Sequence, residues 1–219
     1  MANVLSQTRI LIVDDHSMVR EGLRLRLSAF PDLMICGEAT TEDEAIEMVN
    51  KTNPGLVIVD ISLKSGHGVE LIKRIKAIDP KVKMLVSSGF QESLYAERAL
   101  RAGALGYLNK QDSGEKVIDA IRTILLGERY VSAAITERLV SQALGNRSES
   151  ADPIDTLTDR ELEIFRSIGN GKTSGTIARE LFLSIHTIDT HRENIKRKLG
   201  VKNAAELSRH AVQFLLENS

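Results

Sequence analysis

Three aspartates stand where two apolar segments of the chain end. Asp14 and Asp15 follow the first segment, and Asp60 closes the third. If these segments are neighbouring strands, the three carboxylates converge, and they repel one another strongly unless a cation shares them. Carboxylate oxygens with open coordination positions suit Mg²⁺. An aspartate beside Mg²⁺ can attack phosphorus, because the metal neutralises charge on the phosphoryl oxygens.

Two further segment ends supply groups that a phosphoryl group needs. Ser88 ends the fourth segment with a hydroxyl donor. Lys110 ends the fifth with an ammonium group, which can pair with a phosphoryl oxygen. The polar residues lie at the ends of four different segments on one predicted edge, and this favours a shared site over unrelated turn residues.

The elements that must position these residues alternate along the first 127 residues. Short apolar segments lie at 9–15, 33–39, 55–61, 83–88 and 106–110, with helix-patterned stretches between them. Strands that are apolar throughout are typical of a parallel sheet covered on both faces. Five β–α units in sequence predict an α/β doubly wound sheet of five parallel strands. Sites in such folds collect at the carboxyl ends of the strands.

The rest of the chain changes character. Residues 141–156 lose periodicity and fill with Ser, Asn, Gly, Asp and Pro, which is typical of a linker. A helix is predicted just before them, at 132–144. We therefore predict three parts: a first domain at 8–127, a linker at 128–156 and a second domain at 157–219.

The second domain has the pattern of a helix-turn-helix. Thr158 and Glu161 predict a capping box at the start of its first helix. Ser184 is expected to cap the third helix, which Gly200 ends. Two short helices joined by a tight turn, the second of them cationic, are typical of this motif. The prediction is an all-α domain of four helices.

Composition restricts the protein's environment. The chain has 219 residues, 42% of them hydrophobic, and a net charge of −1. Apolar runs stay shorter than the roughly 18 residues of a membrane span, and the start lacks the pattern of a secretory signal. Cys36 is the only cysteine, which excludes an internal disulfide within the chain and fits a reducing compartment. We expect a cytoplasmic protein without membrane contact.

Four motifs of the first domain together resemble the receiver domain of bacterial response regulators. They are DDH (14–16), VIVDIS (57–62), LVSSG (85–89) and GYLNK (106–110). The resemblance covers nearly all of residues 8–127 and implies a flavodoxin-like fold. It implies that Asp60 accepts a phosphoryl group from the phosphohistidine of a sensor histidine kinase.

The same resemblance implies roles for the surrounding residues. Asp15, Asp60 and the backbone carbonyl of Ser62 would ligate Mg²⁺, with Asp14 acting partly through water. Ser88 and Tyr107 would form a switch pair that responds to the phosphate, with Lys110 as a further phosphoryl-binding group. As a separate hypothesis, the ring of Phe90 shields the phosphoaspartate from water.

Residues 157–207 resemble the LuxR-type helix-turn-helix, so the whole chain resembles a response regulator of the NarL/FixJ type. This implies a DNA-binding transcriptional regulator that catalyses only its own phosphorylation and dephosphorylation. Contacts to DNA phosphates are predicted for Lys172, Thr173, Arg192, Lys196, Arg197 and Lys202. The groove-facing positions are His186, Asp189, Thr190 and Glu193, and Thr187 completes the predicted DNA-binding set.

Two expectations follow for the DNA complex. Carboxylates can accept a hydrogen bond from cytosine N4, so Asp189 or Glu193 is predicted to contact a cytosine. One short recognition helix reads only a few base pairs, so a homodimer is expected when the protein is phosphorylated or DNA-bound. The family pairs through its last helix, here around Ala204–Leu216.

Three alternatives stay open. The first is a regulator that binds DNA without needing phosphorylation. The second is a phosphohydrolase with Asp60 as nucleophile, although Ser62 stands where such an enzyme needs a general acid. The third is a protein-binding adaptor, which the helix-turn-helix pattern disfavours.

Overall fold

The computed structural model describes residues 7–63, 65–112, 114–144 and 153–217. The chain divides into two compact units, Met1–Val140 and Ser141–Ser219. The domain boundaries predicted at residues 127 and 157 stay predictions. Within the predicted linker, residues 145–152 lie outside the described residues.

A five-stranded parallel sheet forms the centre of the first unit. Its strands are β1 Thr8–Val13, β2 Leu33–Ala39, β3 Leu56–Val59, β4 Lys83–Ser88 and β5 Gly106–Asn109. They lie in the order β2-β1-β3-β4-β5. The chain therefore builds outward from β1 to one side and then from β3 to the other. The crevice at this reversal, beyond the carboxyl ends of β1 and β3, is where doubly wound folds bind ligands.

Helices cover both faces of the sheet. The first unit contains α1 Ser17–Leu27, α2 Glu42–Thr52, α3 Gly68–Ile78, α4 Glu92–Ala102, α5 Gly114–Leu125 and the start of α6 Ala133–Ala143. Alternate strand residues such as Ile10 and Ile12 join α1 and α5 in one buried cluster, which includes Leu23 and Ile121. The intervening residues, such as Leu11, are equally buried on the opposite face. The predicted α/β doubly wound sheet is confirmed.

The chain returns to the edge of the sheet after α5. The amide of Tyr130 donates to the carbonyl of Leu105 at 2.9 Å, and the amide of Tyr107 donates to the carbonyl of Tyr130 at 2.9 Å. The chain then enters α6, whose Arg138 Nε lies 3.5 Å from Glu97 Oε2 of α4. The amide of Ser132 donates to Glu92 Oε1 at 2.9 Å. The segment after α5 is thus part of the first unit's hydrogen-bonded structure.

Four α-helices form the second unit within its described residues. They are α7 Asp159–Gly169, α8 Ser174–Glu180, α9 Ile185–Leu199 and α10 Ala204–Glu217, preceded by a 3₁₀ turn at Pro153–Thr156. Thr158 and Glu161 form the predicted capping box of α7. Ser184 caps α9, and Gly200 ends it with a φ of 67°. The predicted all-α, four-helix domain is confirmed.

Among the described residues, every helix is too short or too polar to cross a membrane.

Candidate functional site

The register of β1 and β3 brings the acidic residues together. Val13 pairs with Val59, so Asp14 and Asp60, which come next in the chain, emerge side by side. The amide of Asp60 donates to the carbonyl of Val13 at 2.8 Å, which fixes its backbone. Both side chains are buried, while Asp15 is half-buried. The predicted convergence of carboxylates at the carboxyl ends of the strands is present.

Asp14, Asp15 and Asp60 form what we call the acidic pocket, and Lys110 supplies its positive charge. It follows β5, and its Nζ lies 2.7 Å from Asp14 Oδ2 and 2.7 Å from Asp60 Oδ2. The amide of Lys110 donates to the carbonyl of Ser88 at 2.9 Å, so the end of β4 positions the residue. One ammonium group is therefore shared by two buried carboxylates.

Burial changes the ionisation of these groups. It raises the pKa of Asp60 to about 6, while Lys110 acts to lower that pKa and the Asp14 carboxylate to raise it. The pKa of Lys110 would fall through burial, but Asp60 and Asp14 together hold it above its usual value. The pocket thus combines an excess of negative charge with costly desolvation, and a bound cation would relieve both.

The donor atoms of the pocket fit a divalent cation. Ligand atoms of Asp14, Asp15, His16 and Asp60 all lie within 4.8 Å of one another. Carboxylate oxygens are the ligands that Mg²⁺ prefers. Ser62, the other predicted ligand, lies in the loop after β3, and its backbone amide donates to the Asp60 carboxylate. The residues present are therefore compatible with the magnesium site that the sequence predicts.

Sequence reasoning missed two members of this pocket. His16 belongs to the quoted DDH motif, yet its ring position could not be read from its place in the chain. Gly68 begins α3, and a Cβ there would lie 2.1 Å from the carbonyl oxygen of Asp60. Glycine thus allows α3 to approach the backbone of Asp60. The only clue to this approach in the sequence is a glycine eight residues after the acidic end of a strand.

The predicted switch residues meet at Phe90. Ser88 is buried, and its Oγ accepts a hydrogen bond from the amide of Phe90 at 3.2 Å. Tyr107 is also buried, and its hydroxyl donates to the carbonyl of Phe90 at 2.9 Å. The Phe90 ring stacks on Tyr95 of α4, with centroids 5.0 Å apart. The loop after β4 is therefore bound to both switch side chains and to α4.

Several predicted DNA-binding residues of α9 make contacts within the second unit. Asp189 accepts a hydrogen bond from the hydroxyl of Ser174 on α8 at 2.9 Å. Thr190 Oγ1 donates to the carbonyl of His186 at 2.9 Å. The amide of Thr187 donates to the capping oxygen of Ser184. Ser174 was not predicted, and its contact holds Asp189 against α8.

The predicted phosphate-binding cations also have partners. Lys172 Nζ lies 2.7 Å from Glu180 Oε2, and Lys196 Nζ lies 2.8 Å from Glu193 Oε1. Arg197 donates to the side chain of the neighbouring Asn194. These pairs lie on the surface, where an ion pair contributes roughly 0–1 kcal/mol and is easily exchanged.

The remaining predicted phosphate contacts lie at the start of α8, within α9 and just after α9. Thr173 caps α8 through its Oγ1, which accepts from the amide of Thr176 at 3.2 Å. Arg192 is half-buried on α9, and Lys202 is exposed after that helix. The predicted DNA-binding set therefore belongs to the helix-turn-helix and the residues that flank it.

A receiver-like sheet with an acidic pocket, joined to a helix-turn-helix unit, defines the class of two-component response regulators. The family described as response regulator receiver domain matches residues 10–122. The family described as bacterial regulatory proteins, luxR family, matches residues 155–211. The chain belongs to these families: it is a response regulator with a receiver domain and a LuxR-type DNA-binding domain, and thus a transcription regulator.

Similar proteins match along nearly the whole chain. It is 36% identical over 212 residues to the transcriptional regulatory protein LiaR of Bacillus subtilis, covering 96% of this chain and 99% of LiaR. It is 33% identical over 210 residues to the oxygen regulatory protein NreC of Staphylococcus aureus, covering 94% and 97%. RcsB from Salmonella enterica serovar Typhimurium, solved bound to a promoter with a phosphomimetic, is 25% identical in sequence. The match covers 94% of this chain and 98% of the RcsB chain, with a TM-score of 0.63.

Proposed function

We propose that Asp60 accepts a phosphoryl group from the phosphohistidine of a sensor histidine kinase, with Mg²⁺ as cofactor. The observation that carries this proposal is the buried Asp60 carboxylate beside Asp14, with Lys110 Nζ 2.7 Å from both. An Asp60 oxygen forms the new O–P bond while the P–N bond of the donor breaks. The departing imidazole nitrogen keeps the electron pair and takes a proton from solvent.

The residues predicted from the sequence each have a role in this transfer. Asp14, Asp15 and Asp60, with the carbonyl of Ser62, would hold Mg²⁺, which supplies charge neutralisation at the phosphoryl oxygens. Lys110 already contacts Asp60, so its ammonium can pair with a phosphoryl oxygen at the same place.

The switch pair would transmit the modification. The Ser88 hydroxyl turns to donate to the phosphoryl group, which ends its contact with the amide of Phe90. The adjacent ring of Tyr107 follows into the vacated space. This is a local electrostatic change that biases a two-state element.

We further propose that phosphorylation alters dimerisation and the binding of α9 to DNA. The promoter-bound structure of the similar RcsB supports DNA as the ligand. A dimer through α10 is supported by exposed apolar side chains on that helix, Val212 at 44% and Leu216 at 76% exposure. Asp189 and Glu193 are the proposed cytosine contacts. Since the proposed partners are a kinase and chromosomal DNA, we place the protein in the cytoplasm.

Intact mass after incubation with phosphoramidate, a small donor with a P–N bond, tests the phosphoryl transfer. The wild type should gain one phosphoryl group only when Mg²⁺ is present. Asp60→Asn should gain none, whereas Asp119→Asn, which changes an exposed carboxylate of α5, should behave as the wild type. If the wild-type protein retains promoter DNA but gains no mass, the result would favour a regulator that binds DNA without needing phosphorylation.

A further inference from the structure

His16 lies in the acidic pocket although the proposed phosphoryl transfer gives it no role. Its Nδ1 is 2.8 Å from Asp15 Oδ1, 3.2 Å from Asp14 Oδ1 and 3.9 Å from Asp60 Oδ2. Its backbone amide donates to Asp14 Oδ1 at 2.8 Å, which fixes the residue beside the carboxylates. The ring thus faces all three aspartates.

A comparison with His67 shows that a histidine before a helix need not turn its ring to the carboxylates. Both histidines stand at the N-cap of a helix, His16 before α1 and His67 before α3. The Nδ1 of His67 accepts a hydrogen bond from the amide of Val69 at 3.3 Å, as a capping side chain does. The side chain of His16 makes no such bond to α1. Its Nδ1 is directed to the carboxylates instead.

The distances fit ligands that share one ion. Two donors about 2.1 Å from a metal are about 3.0 Å apart in cis positions and about 4.2 Å apart in trans positions. The distances from His16 Nδ1 to the three carboxylates, 2.8 to 3.9 Å, lie close to this range. The side chain is 63% exposed, so the ring can adjust around an ion without disturbing the core.

We infer that His16 Nδ1 is a protein ligand of the divalent cation bound by this pocket. An imidazole nitrogen suits later transition ions such as Co²⁺ better than Mg²⁺, which favours oxygen ligands. The pocket therefore binds these ions with an added preference over Mg²⁺ that an all-carboxylate pocket lacks. The inference rests on the proposed function, because it concerns the same metal site.

Nitrogen coupling tests the inference directly. Full-length wild-type protein is loaded with Mn²⁺, and electron spin echo measurements report whether an imidazole nitrogen is bound to the ion. We expect that coupling in the wild type and in His210→Asn, an exposed histidine of α10, and its loss in His16→Asn. A wild type that binds Mn²⁺ without nitrogen coupling would overturn the inference.

Calorimetric titration gives an independent readout. His16→Asn should weaken Co²⁺ binding by about tenfold or more while leaving Mg²⁺ binding nearly unchanged. If His16 only makes hydrogen bonds, the variant will change both affinities by the same factor, and the inference fails. Mg²⁺-dependent phosphorylation of Asp60 without nitrogen coupling would remove the inference and leave the proposed function standing. Failure of the proposed function appears separately, as an absent mass gain in a protein that still binds the ions.

Discussion

Asp60 of the first unit and Glu161 of the second are both buried carboxylates, at 2% and 4% exposure, yet their pKa values move in opposite directions. Burial raises the pKa of Asp60 to about 6. Burial acts in the same sense on Glu161, but hydrogen bonds from Lys198 and Thr158 outweigh it and hold the pKa of that carboxyl below its usual value.

The difference lies in how the donors are shared. Lys198 Nζ lies 2.6 Å from Glu161 Oε2, and the amide of Thr158 donates to the same oxygen at 2.8 Å. Asp60 must instead share Lys110 with Asp14. A buried carboxylate with its own donors stabilises a fold, whereas one that competes for a donor costs stability. That cost is expected where a fold keeps a carboxylate available for chemistry.

The largest effect should come from neutralising Asp60. In metal-free buffer at pH 7, Asp60→Asn should stabilise the first unit by about 3 kcal/mol, because it removes a charge that burial disfavours. Hydrogen exchange at the amides of β1 and β3 measures this stability for that unit alone. Asp119→Asn should leave exchange unchanged. A destabilised Asp60→Asn would show that Lys110 satisfies Asp60 as fully as Lys198 satisfies Glu161.

Neutralising Glu161 should instead lower the stability of its unit. Glu161→Gln should destabilise the second unit by about 1.5 kcal/mol, since it removes a charge-assisted hydrogen bond to Lys198. Glu180→Gln, which changes only an exposed pair with Lys172, should cost at most about 0.5 kcal/mol. Calorimetric unfolding of the three proteins provides the measurement. Equal losses in the two variants would remove the contrast with Asp60.

The two stability differences should also respond oppositely to pH. The folded pKa of Asp60 lies above its ordinary 3.8, so ionisation costs stability as pH rises through about 6. The advantage of Asp60→Asn should therefore shrink by about 1 kcal/mol from pH 7 to pH 5 without metal. The folded pKa of Glu161 lies below its ordinary 4.5, so the deficit of Glu161→Gln persists at pH 5 and is lost only at lower pH. Parallel curves for the two variants would contradict this account.

The smallest expected effect is a difference in the salt dependence of DNA binding between variants of two neighbouring cations of α9. Lys198 Nζ is bound by Glu161 Oε2 and by the carbonyl of Thr156 at 3.0 Å. Arg197 is exposed, and its guanidinium donates a hydrogen bond to the side chain of Asn194. On a fixed DNA duplex, Arg197→Ala should reduce the slope of log affinity against log salt by about 0.9, the value for one phosphate contact. Lys198→Ala should lower stability and leave that slope unchanged; a reduced slope would make it a DNA contact.

Much of the fold and of the acidic site could be predicted from the sequence, because the spacing of apolar residues indicates which positions are buried. Apolar strands ending in Asp14, Asp60, Ser88 and Lys110 were sufficient to predict the sheet and the edge at which they meet. The predicted capping box at Thr158 is likewise present, since a cap depends on residues only three apart.

What the sequence could not supply was the direction of individual side chains. The ring of His16 turns to the carboxylates while that of His67 caps a helix, although both precede helices. Lys198 ends a run of three cations on α9, yet its partner Glu161 lies 37 residues away. Such choices depend on tertiary contacts, which local spacing does not encode.

The hydrogen bonds of Tyr130 bear on how a separate receiver domain should be cut. β5 is the outer strand of the sheet, and Tyr130 occupies backbone groups on its open side at Leu105 and Tyr107. An exposed strand edge is a template for aggregation. A fragment ending at residue 127 would contain every group of the acidic pocket but lack this cover. One ending at Val140 would keep it, so we expect the longer fragment to resist edge-to-edge aggregation better than the shorter one.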